Sequence, residues 1–373
     1  MDVNILIQKL KSMRSQIMDS YCIVNGELIP FTEIQNMGYD EFSLRARRCM
    51  PSKLYKYFPN RVDNGNGKAK KSINYSMQAL KDNTVFMQSP SLYDDIFDSD
   101  ITLDFGEYQK FRLLNYCQRC GLHVSSTMSF EILKSLFRQT INNSIQLTKN
   151  FDFIFKQPPA SKIEKLSNEY FLLRLKIALA KHIDLDEAII HIITEDFNQY
   201  SVNLKTIFRT TCFATTPYSQ LMWGGTYADC HKGFCAEYTI LPNNPQYQHL
   251  FYNLFPMIYC KIRSNITERL VQFEDKEPTE ESLWDIYFHG VLRKSIDWAF
   301  QNEWRLLLPL GPNRQKQEYC IPFFPITKIF LGNQMLPDAQ KEIIEICQER
   351  NIPYVSMKKN PHIFEMEECS IEQ

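Results

Sequence analysis

The stretch FQNEWRLLLPL, residues 300–310, enters as a polar segment and leaves as an almost continuous apolar run. In an extended chain Gln301, Glu303 and Arg305 fall on one face, because side chains alternate with a period of two. An amide, a carboxylate and a guanidinium at the mouth of a strand this apolar must be paired or used, since leaving them buried and unmatched is costly. Two readings follow. Either these side chains line a cleft while Leu306–Leu308 enter the core, or Glu303 and Arg305 form a surface ion pair of little energetic weight on an edge strand.

Working outward from that strand, apolar runs with strand character cover 206–216 (TIFRTTCFATT), 233–241 (GFCAEYTIL) and 257–262 (MIYCKI). Residues 281–300 (ESLWDIYFHGVLRKSIDWAF) have helical periodicity, with Trp284, Phe288, Val291, Leu292 and Trp298 on one broad face. After the central strand the chain reads strand over 326–331, helix over 337–349 and strand over 352–356. Toward the N-terminus, residues 3–18 read as an amphipathic helix. YCIVNGELIPF (21–31) carries Asn25-Gly26 between two apolar runs, a strong hairpin signal. LYKYFPNR (54–61) is a short strand ended by Pro59, DNGNGKAKK (63–71) a basic loop, 72–82 a helix and 83–90 a strand stopped by Pro90. From 105 to 205 the apolar spacing is helical and broken once, at QPPAS.

These periods predict an α+β fold: a split, mostly antiparallel sheet core with a helical insertion. The expected parts are an N-terminal helix and hairpin over 1–50, a first core segment over 51–104, the insertion over 105–205 and a second core segment over 206–373.

Composition narrows the function. The chain has 373 residues, with 42 basic and 43 acidic side chains and a net charge of −1. That balance gives no global basic field for binding nucleic acid. The eleven cysteines are an odd number. The N-terminal stretch lacks a signal-peptide apolar region, and no apolar run approaches the roughly 18 residues of a membrane span. The expectation is a cytoplasmic protein with reduced thiols and no membrane association. Only twelve glycines occur, and neither GxxxxGK[ST] nor GxGxxG is present.

Several clusters carry candidate chemistry. Cys117, Cys120 and His123 have the start of a zinc spacing, without a second matching pair. Asp94, Asp95, Asp98 and Asp100 crowd seven residues after a strand. They suit either turn and cap chemistry or a divalent metal site in which Asp94, Asp95 and Asp98 serve a nuclease. Met222, Trp223 and Tyr227 flank Gly224-Gly225, an arrangement suited to stacking on a flat ring, although aromatics taken alone are more often core residues. His231 and Glu237 lie near Cys230 and Cys235 as pocket candidates.

Three words taken together resemble R-S-E-type ADP-ribosyltransferases: LYKYFPNR for the first strand, FATT (213–216) for the Ser-Thr-Ser element and QNE (301–303) for the [Q/E]-x-E motif. The chain also resembles the uncharacterised bacterial domain-of-unknown-function family 2971 through Leu54–Tyr57, Phe86–Asp98, Cys212–Ala214, Leu221–Phe234 and Lys294–Arg305. Lys56 stands where the transferases carry arginine, and loses its bidentate fork. Ala214 replaces a serine, YDDIFD replaces FNDPFD, and Gln301 replaces a glutamate.

The transferase resemblance implies NAD as substrate and no metal. Glu303 would be catalytic and Gln301 would tune the acceptor. Tyr55, Lys56, Tyr57, Thr215, Trp223, Tyr227, His231 and Arg305 would line the NAD site. The activity implied is transfer of ADP-ribose to a protein or nucleic-acid acceptor, or NAD hydrolysis, in a bacterial toxin or defence effector. The alternatives are the metal-dependent nuclease and a non-catalytic nucleotide-binding or interaction module.

Overall fold

The computed structural model describes residues 19–61, 74–119, 122–147, 174, 177, 184–275, 280–309 and 319–370. The helix read at 3–18, the basic loop at 63–71 and the QPPAS break fall outside them, as does Cys120 of the zinc-like spacing. The fold is α+β with mixed and antiparallel sheets. The chain divides into two compact units. One comprises Met1–Ser99, Lys205–Arg263 and Val291–Gln373, and the other Asp100–Leu204 and Ser264–Gly290.

The first unit carries the sheets. β1 (Tyr21–Val24) and β2 (Glu27–Pro30) form the hairpin that Asn25-Gly26 signals; both turn residues have positive φ, 49° and 81°. Strands β3 (Lys53–Phe58), β4 (Thr84–Met87), β5 (Phe208–Phe213), β6 (Phe234–Thr239), β7 (Leu254–Pro256) and β8 (Ile258–Cys260) follow. β9 (Arg293–Ser295), β10 (Trp304–Pro309), β11 (Tyr319–Pro322), β12 (Ile326–Leu331), β13 (Tyr354–Lys359) and β14 (Met366–Cys369) complete the set.

β10 runs antiparallel to β5 on one side and to β7 on the other, so it is the middle of a three-stranded sheet. A five-stranded sheet has the order β14-β13-β12-β6-β3, with only β12 and β13 parallel. The two sheets touch at one bridge. Tyr55 N donates to Ala214 O at 2.8 Å, and Ala214 N donates to Tyr55 O at 2.7 Å. A third sheet, β2-β1-β8-β9, packs the hairpin beside the chain that leads into β10. Its link to β10 is direct, since the Trp304 indole donates to Asn25 Oδ1 at 3.0 Å.

Residues 281–300 depart from the single helix that their period predicts. The helix runs Glu280–Val291, the chain then forms β9 parallel to β8, and Ile296–Gln301 make a 3-10 turn. Tertiary pairing outweighs the local period here. Ile258 N donates to Leu292 O at 2.8 Å, drawing the chain into the sheet, and Lys294 is pulled between carboxylates described below. β7 and β14, three and four residues long, are short strands that the sequence pattern does not mark.

The second unit is mainly helical. The helices Phe105–Arg119, Phe130–Leu147 and Leu185–Ile207, the last of which crosses into the first unit after Leu204, bury Tyr108, Leu113, Leu133, Phe137 and Ile192 in a common core. Ile266, Leu270 and Ile286, from the later segment, join that core. The helical unit therefore takes in 264–290, which the apolar periods place in the second core segment. No helix among the described residues is long and apolar enough to cross a membrane.

Candidate functional site

Because β10 is a middle strand, its polar leading residues are deep in the protein. Gln301 is 4% exposed, Glu303 5% and Arg305 0%. The surface-pair reading of Glu303 and Arg305 is therefore overturned: the strand is not at an edge, and its charges meet partners rather than water.

Those partners arrive from three other segments. Arg305 faces Asp98 with a two-pronged pair, Nη1 to Oδ1 and Nη2 to Oδ2, both 2.8 Å. Its Nε donates to Glu303 Oε1 at 2.8 Å, and Nη1 also reaches Val291 O at 2.9 Å and Ser99 Oγ at 3.1 Å. The guanidinium lies over the Tyr93 ring, 5.0 Å from its centroid. From β9, the Lys294 ammonium lies 3.2 Å from both Glu303 Oε2 and Asp98 Oδ2. It also donates to Gln301 Oε1 at 3.0 Å and sits over Trp298. Two carboxylates thus meet two cations, and the buried quartet is neutral. Hydrogen-bonded, paired charges are the condition under which such a group survives burial.

The backbone that presents Glu303 is equally constrained. Asn302 ends the 3-10 turn with φ 39°, a left-handed conformation that asparagine tolerates. The Asn302 amide donates to Thr215 Oγ1 at 2.6 Å, and Glu303 N donates to Tyr259 OH at 2.7 Å. Gln301 Nε2 donates to the Tyr227 hydroxyl. Residues 301, 302 and 303 are thereby each fixed by a different segment.

Protonation follows from this geometry. Burial alone would raise the Asp98 carboxyl, but Arg305 and Lys294 outweigh it and bring it down to about 2. For Glu303, burial and Asp98 push upward while Arg305, Lys294 and the Cys212 thiol pull downward, with a net fall below the ordinary glutamate value. Burial would depress Lys294 and Arg305, yet the two carboxylates hold both above their ordinary values. All four groups are charged at neutral pH. Burial, then Glu303, pushes Cys212 up to about 11, so it serves as a neutral hydrogen-bond donor.

The remaining predicted residues divide in two. Lys56 and Thr215 come close to the network. The Lys56 ammonium donates to Thr211 Oγ1 at 2.8 Å and to Cys212 O at 3.1 Å, and burial lowers its pKa. Lys56 thus reaches β5 directly opposite the β10 residues, for Cys212 pairs with Arg305 in register. Tyr227 joins through Gln301. Tyr55 and Tyr57 leave β3 on the other face. The Tyr55 hydroxyl donates to Glu237 Oε2 at 3.1 Å, and the Tyr57 hydroxyl to Thr216 O at 2.9 Å.

Trp223, read as an aromatic beside a flexible backbone, is fully buried, and its indole donates to Pro217 O at 2.7 Å. It packs with Tyr57, Met222 and Phe330 as core. His231 stacks on Trp223, with the ring planes 9° apart. Burial and the nearby Lys359 hold it below its ordinary pKa. It ends a run of three left-handed residues, Asp229, Cys230 and His231, with φ of 50°, 53° and 66°.

The acidic cluster separates. Asp98 is buried with both oxygens on Arg305, whereas Asp94 is exposed and Asp95 caps the turn by accepting from Phe97 N at 2.9 Å. Among the described residues no three His, Cys, Asp or Glu side chains gather as a metal-holding group. Asp98 has turned inward to the guanidinium, apart from the exposed Asp94 and the turn-capping Asp95.

Sequence reasoning does not single out Lys294, Tyr93, Tyr259 or Cys212 as site residues. Lys294 lies within the Lys294–Arg305 word and is accessible as a signal. Tyr93 and Tyr259 join only through the fold. Comparison with protein-family profiles, curated proteins and solved structures returns no match.

Proposed function

We propose that this protein is an ADP-ribosyltransferase-like enzyme that uses NAD as substrate, cleaving the nicotinamide–ribose bond and passing ADP-ribose to an acceptor or to water. The observation that carries the reading is the state of Glu303. It is buried, ionised and held by Arg305 and Lys294, and it lies where a three-stranded and a five-stranded sheet meet. Lys56 and Thr215 approach from the first and second strand words of the motif series.

Cleavage of this bond builds positive charge on the ribose, and a fixed carboxylate that needs no reorganisation stabilises that charge well. Oε1 stays on Arg305. Oε2, on the longer lysine contact, is the oxygen that meets the ribose hydroxyl. Gln301, neutral and beside Lys294, faces the acceptor. Thr215 braces Glu303 through Asn302 rather than directly. Lys56 places a single positive charge beside β5 for the diphosphate, without arginine's paired donors. Arg305 has its donors committed to Asp98, Glu303, Ser99 and Val291 O, so its task is to orient Glu303 rather than to touch NAD.

The test is Glu303→Gln, which keeps size, removes the charge and gives up one of the two hydrogen bonds accepted from Arg305 and Lys294. Turnover of NAD should fall by roughly 10²–10³, equal to about 2.7–4 kcal/mol, while NAD affinity by calorimetry changes much less because the benefit arises in the transition state. Assays run with and without chelator, on NAD and on DNA and RNA, separate the alternatives. Chelator-sensitive nucleic-acid cleavage without NAD turnover favours the nuclease. NAD binding without turnover favours the non-catalytic module.

A further inference from the structure

Two thiols that take no part in the charged quartet face each other in the sheet that holds the N-terminal hairpin. β1 and β8 pair antiparallel with Ile23 opposite Tyr259 and Val24 opposite Ile258. One step further out, the same register sets Cys22 directly opposite Cys260. Both are buried free thiols, 0% and 5% exposed. Directly opposed residues of an antiparallel pair bring their Cβ atoms to about 4.5–5.5 Å, and a disulfide asks for about 3.5–4.5 Å, so a small inward shift of the two chains suffices to join them. The pair lies beyond the last β1–β8 register pair, where a ladder opens at least cost.

We propose that Cys22 and Cys260 form a reversible two-electron redox site that takes a hydroperoxide as its oxidant and closes to a disulfide. The surroundings divide the two thiols into an attacking and a resolving group. The Cys22 thiol faces the Cys260 sulfur across the sheet, and the buried Arg293 adds its positive charge. Together they bring Cys260 down to about 7 against the opposing effect of burial. Cys22 moves the other way, through its neighbour Cys260 and burial. A thiolate backed by a neighbouring thiol and a cation is the reactive form of cysteine. By contrast, burial pushes the thiol of Cys347 up to about 12.

In the first step the Cys260 thiolate attacks one peroxide oxygen. An S–O bond forms and the O–O bond breaks. Hydroxide, or the alkoxide of an organic hydroperoxide, leaves and takes a proton to become water or the alcohol. Cys260 is now a sulfenic acid. In the second step the Cys22 sulfur attacks the Cys260 sulfur. The S–S bond forms, the S–O bond breaks, and the departing hydroxide takes the Cys22 proton as water. Two thiols are oxidised by two electrons and one peroxide is reduced. The product staples the hairpin to β8, whose neighbour β9 carries Lys294. The site does not depend on the NAD reading.

The test treats the reduced, full chain with hydrogen peroxide at neutral pH and maps its peptides without reduction. We expect a Cys22–Cys260 cross-linked peptide, lighter by two hydrogens and restored by dithiothreitol. Cys260 should oxidise at least about tenfold faster than Cys347, in line with its thiolate content. Cys22→Ser should leave a Cys260 sulfenic acid that dimedone captures, and Cys260→Ser should leave Cys22 unoxidised. Recovery of Cys22 and Cys260 as thiols while the exposed Cys230 and Cys320 are oxidised would overturn the proposal, as would equal rates at Cys260 and Cys347. Both readings come from the unaltered chain, so neither depends on a variant folding.

Discussion

Removing two members of opposite sign from the neutral quartet should cost clearly less than the sum of removing each alone. Arg305→Met leaves Asp98 and Glu303 sharing one lysine, with a net buried charge of −1. Asp98→Asn leaves Arg305 and Lys294 facing one glutamate, with a net of +1. Breaking a buried, hydrogen-bonded pair from one side typically costs about 3–5 kcal/mol. Arg305 loses two contacts of 2.8 Å to Asp98 and one to Glu303, which puts its replacement at the upper end. Asp98 leaves Lys294 with Glu303 at 3.2 Å, so its replacement belongs at the lower end. The double variant keeps a neutral Lys294–Glu303 pair. Its cost should therefore fall short of the sum by about 2–3 kcal/mol, the coupling expected of residues in one network. The assay is urea unfolding followed by tryptophan fluorescence, since Trp298 sits over Lys294 and Trp304 is in the same strand as Arg305. In melting temperature each single variant should fall by roughly 6–20 °C, at ~2–4 °C per kcal/mol for a unit of this size. Costs that add to within ~0.5 kcal/mol, or single costs below ~1 kcal/mol as for a surface pair, would refute the argument.

Acid should unfold the first unit through these same carboxylates. Both have depressed folded values, so their contribution is complete above the unfolded value of about 4 and is lost as the pH falls through the folded one, about 2 for Asp98. Stability should drop between those limits by ~2 kcal/mol for Asp98, read as a falling melting temperature, and Asp98→Asn should flatten that part of the profile. The glycines offer a contrast measurable by thermal melting. A Cβ on Gly332 would lie 2.1 Å from the His231 carbonyl oxygen and 2.7 Å from that of Gly233, both backbone atoms, so Gly332→Ala should cost ~3 kcal/mol or more, the upper end for an overpacked site. Gly26 has open space around it but φ of 81°, and Gly26→Ala should lose only the ~1–2 kcal/mol of a left-handed residue. Equal losses at the two positions would contradict the close approach at Gly332.

Local chemistry is legible wherever it is decided locally. Asn25-Gly26 announces its hairpin, and the apolar periods of 326–331 and 337–349 give a strand and a helix with those bounds. Period fails at 292–300, because sheet pairing to β8 and the attraction of Lys294 to Asp98 and Glu303 are decided by residues far away in the chain. The candidate site shows the same division. Gln301, Glu303 and Arg305 stand out because polar residues at the entrance of an apolar strand need a reason. Asp98 is visible as one of a cluster, but its partner is 207 residues away, and nothing local distinguishes the inward carboxylate from the outward Asp94. Trp223 illustrates the opposite error. Its neighbours Gly224 and Gly225 suggest an open platform, whereas the indole is core with a backbone acceptor.

The position of β10 between two antiparallel neighbours fixes its phase. Side chains alternate across a sheet, so a shift of one residue would carry Glu303 and Arg305 to the opposite face and bring Trp304 into their place. Both ladders, to β5 and to β7, would have to be rewritten together for such a shift to occur. The segment 296–302 therefore acts as a spacer of fixed length. An amino-acid exchange within it changes one or two contacts, whereas a one-residue insertion or deletion must either be taken up in the turn, pulling Gln301 and Asn302 off Tyr227 and Thr215, or invert the strand. Restoring the phase with a second such change would leave Glu303 and Arg305 displaced along the strand by about 6.6–6.8 Å, out of reach of Asp98 and Lys294. Length variation in relatives of this chain should accordingly be confined to other loops, and the segment 296–302 should keep its length even where its residue identities drift.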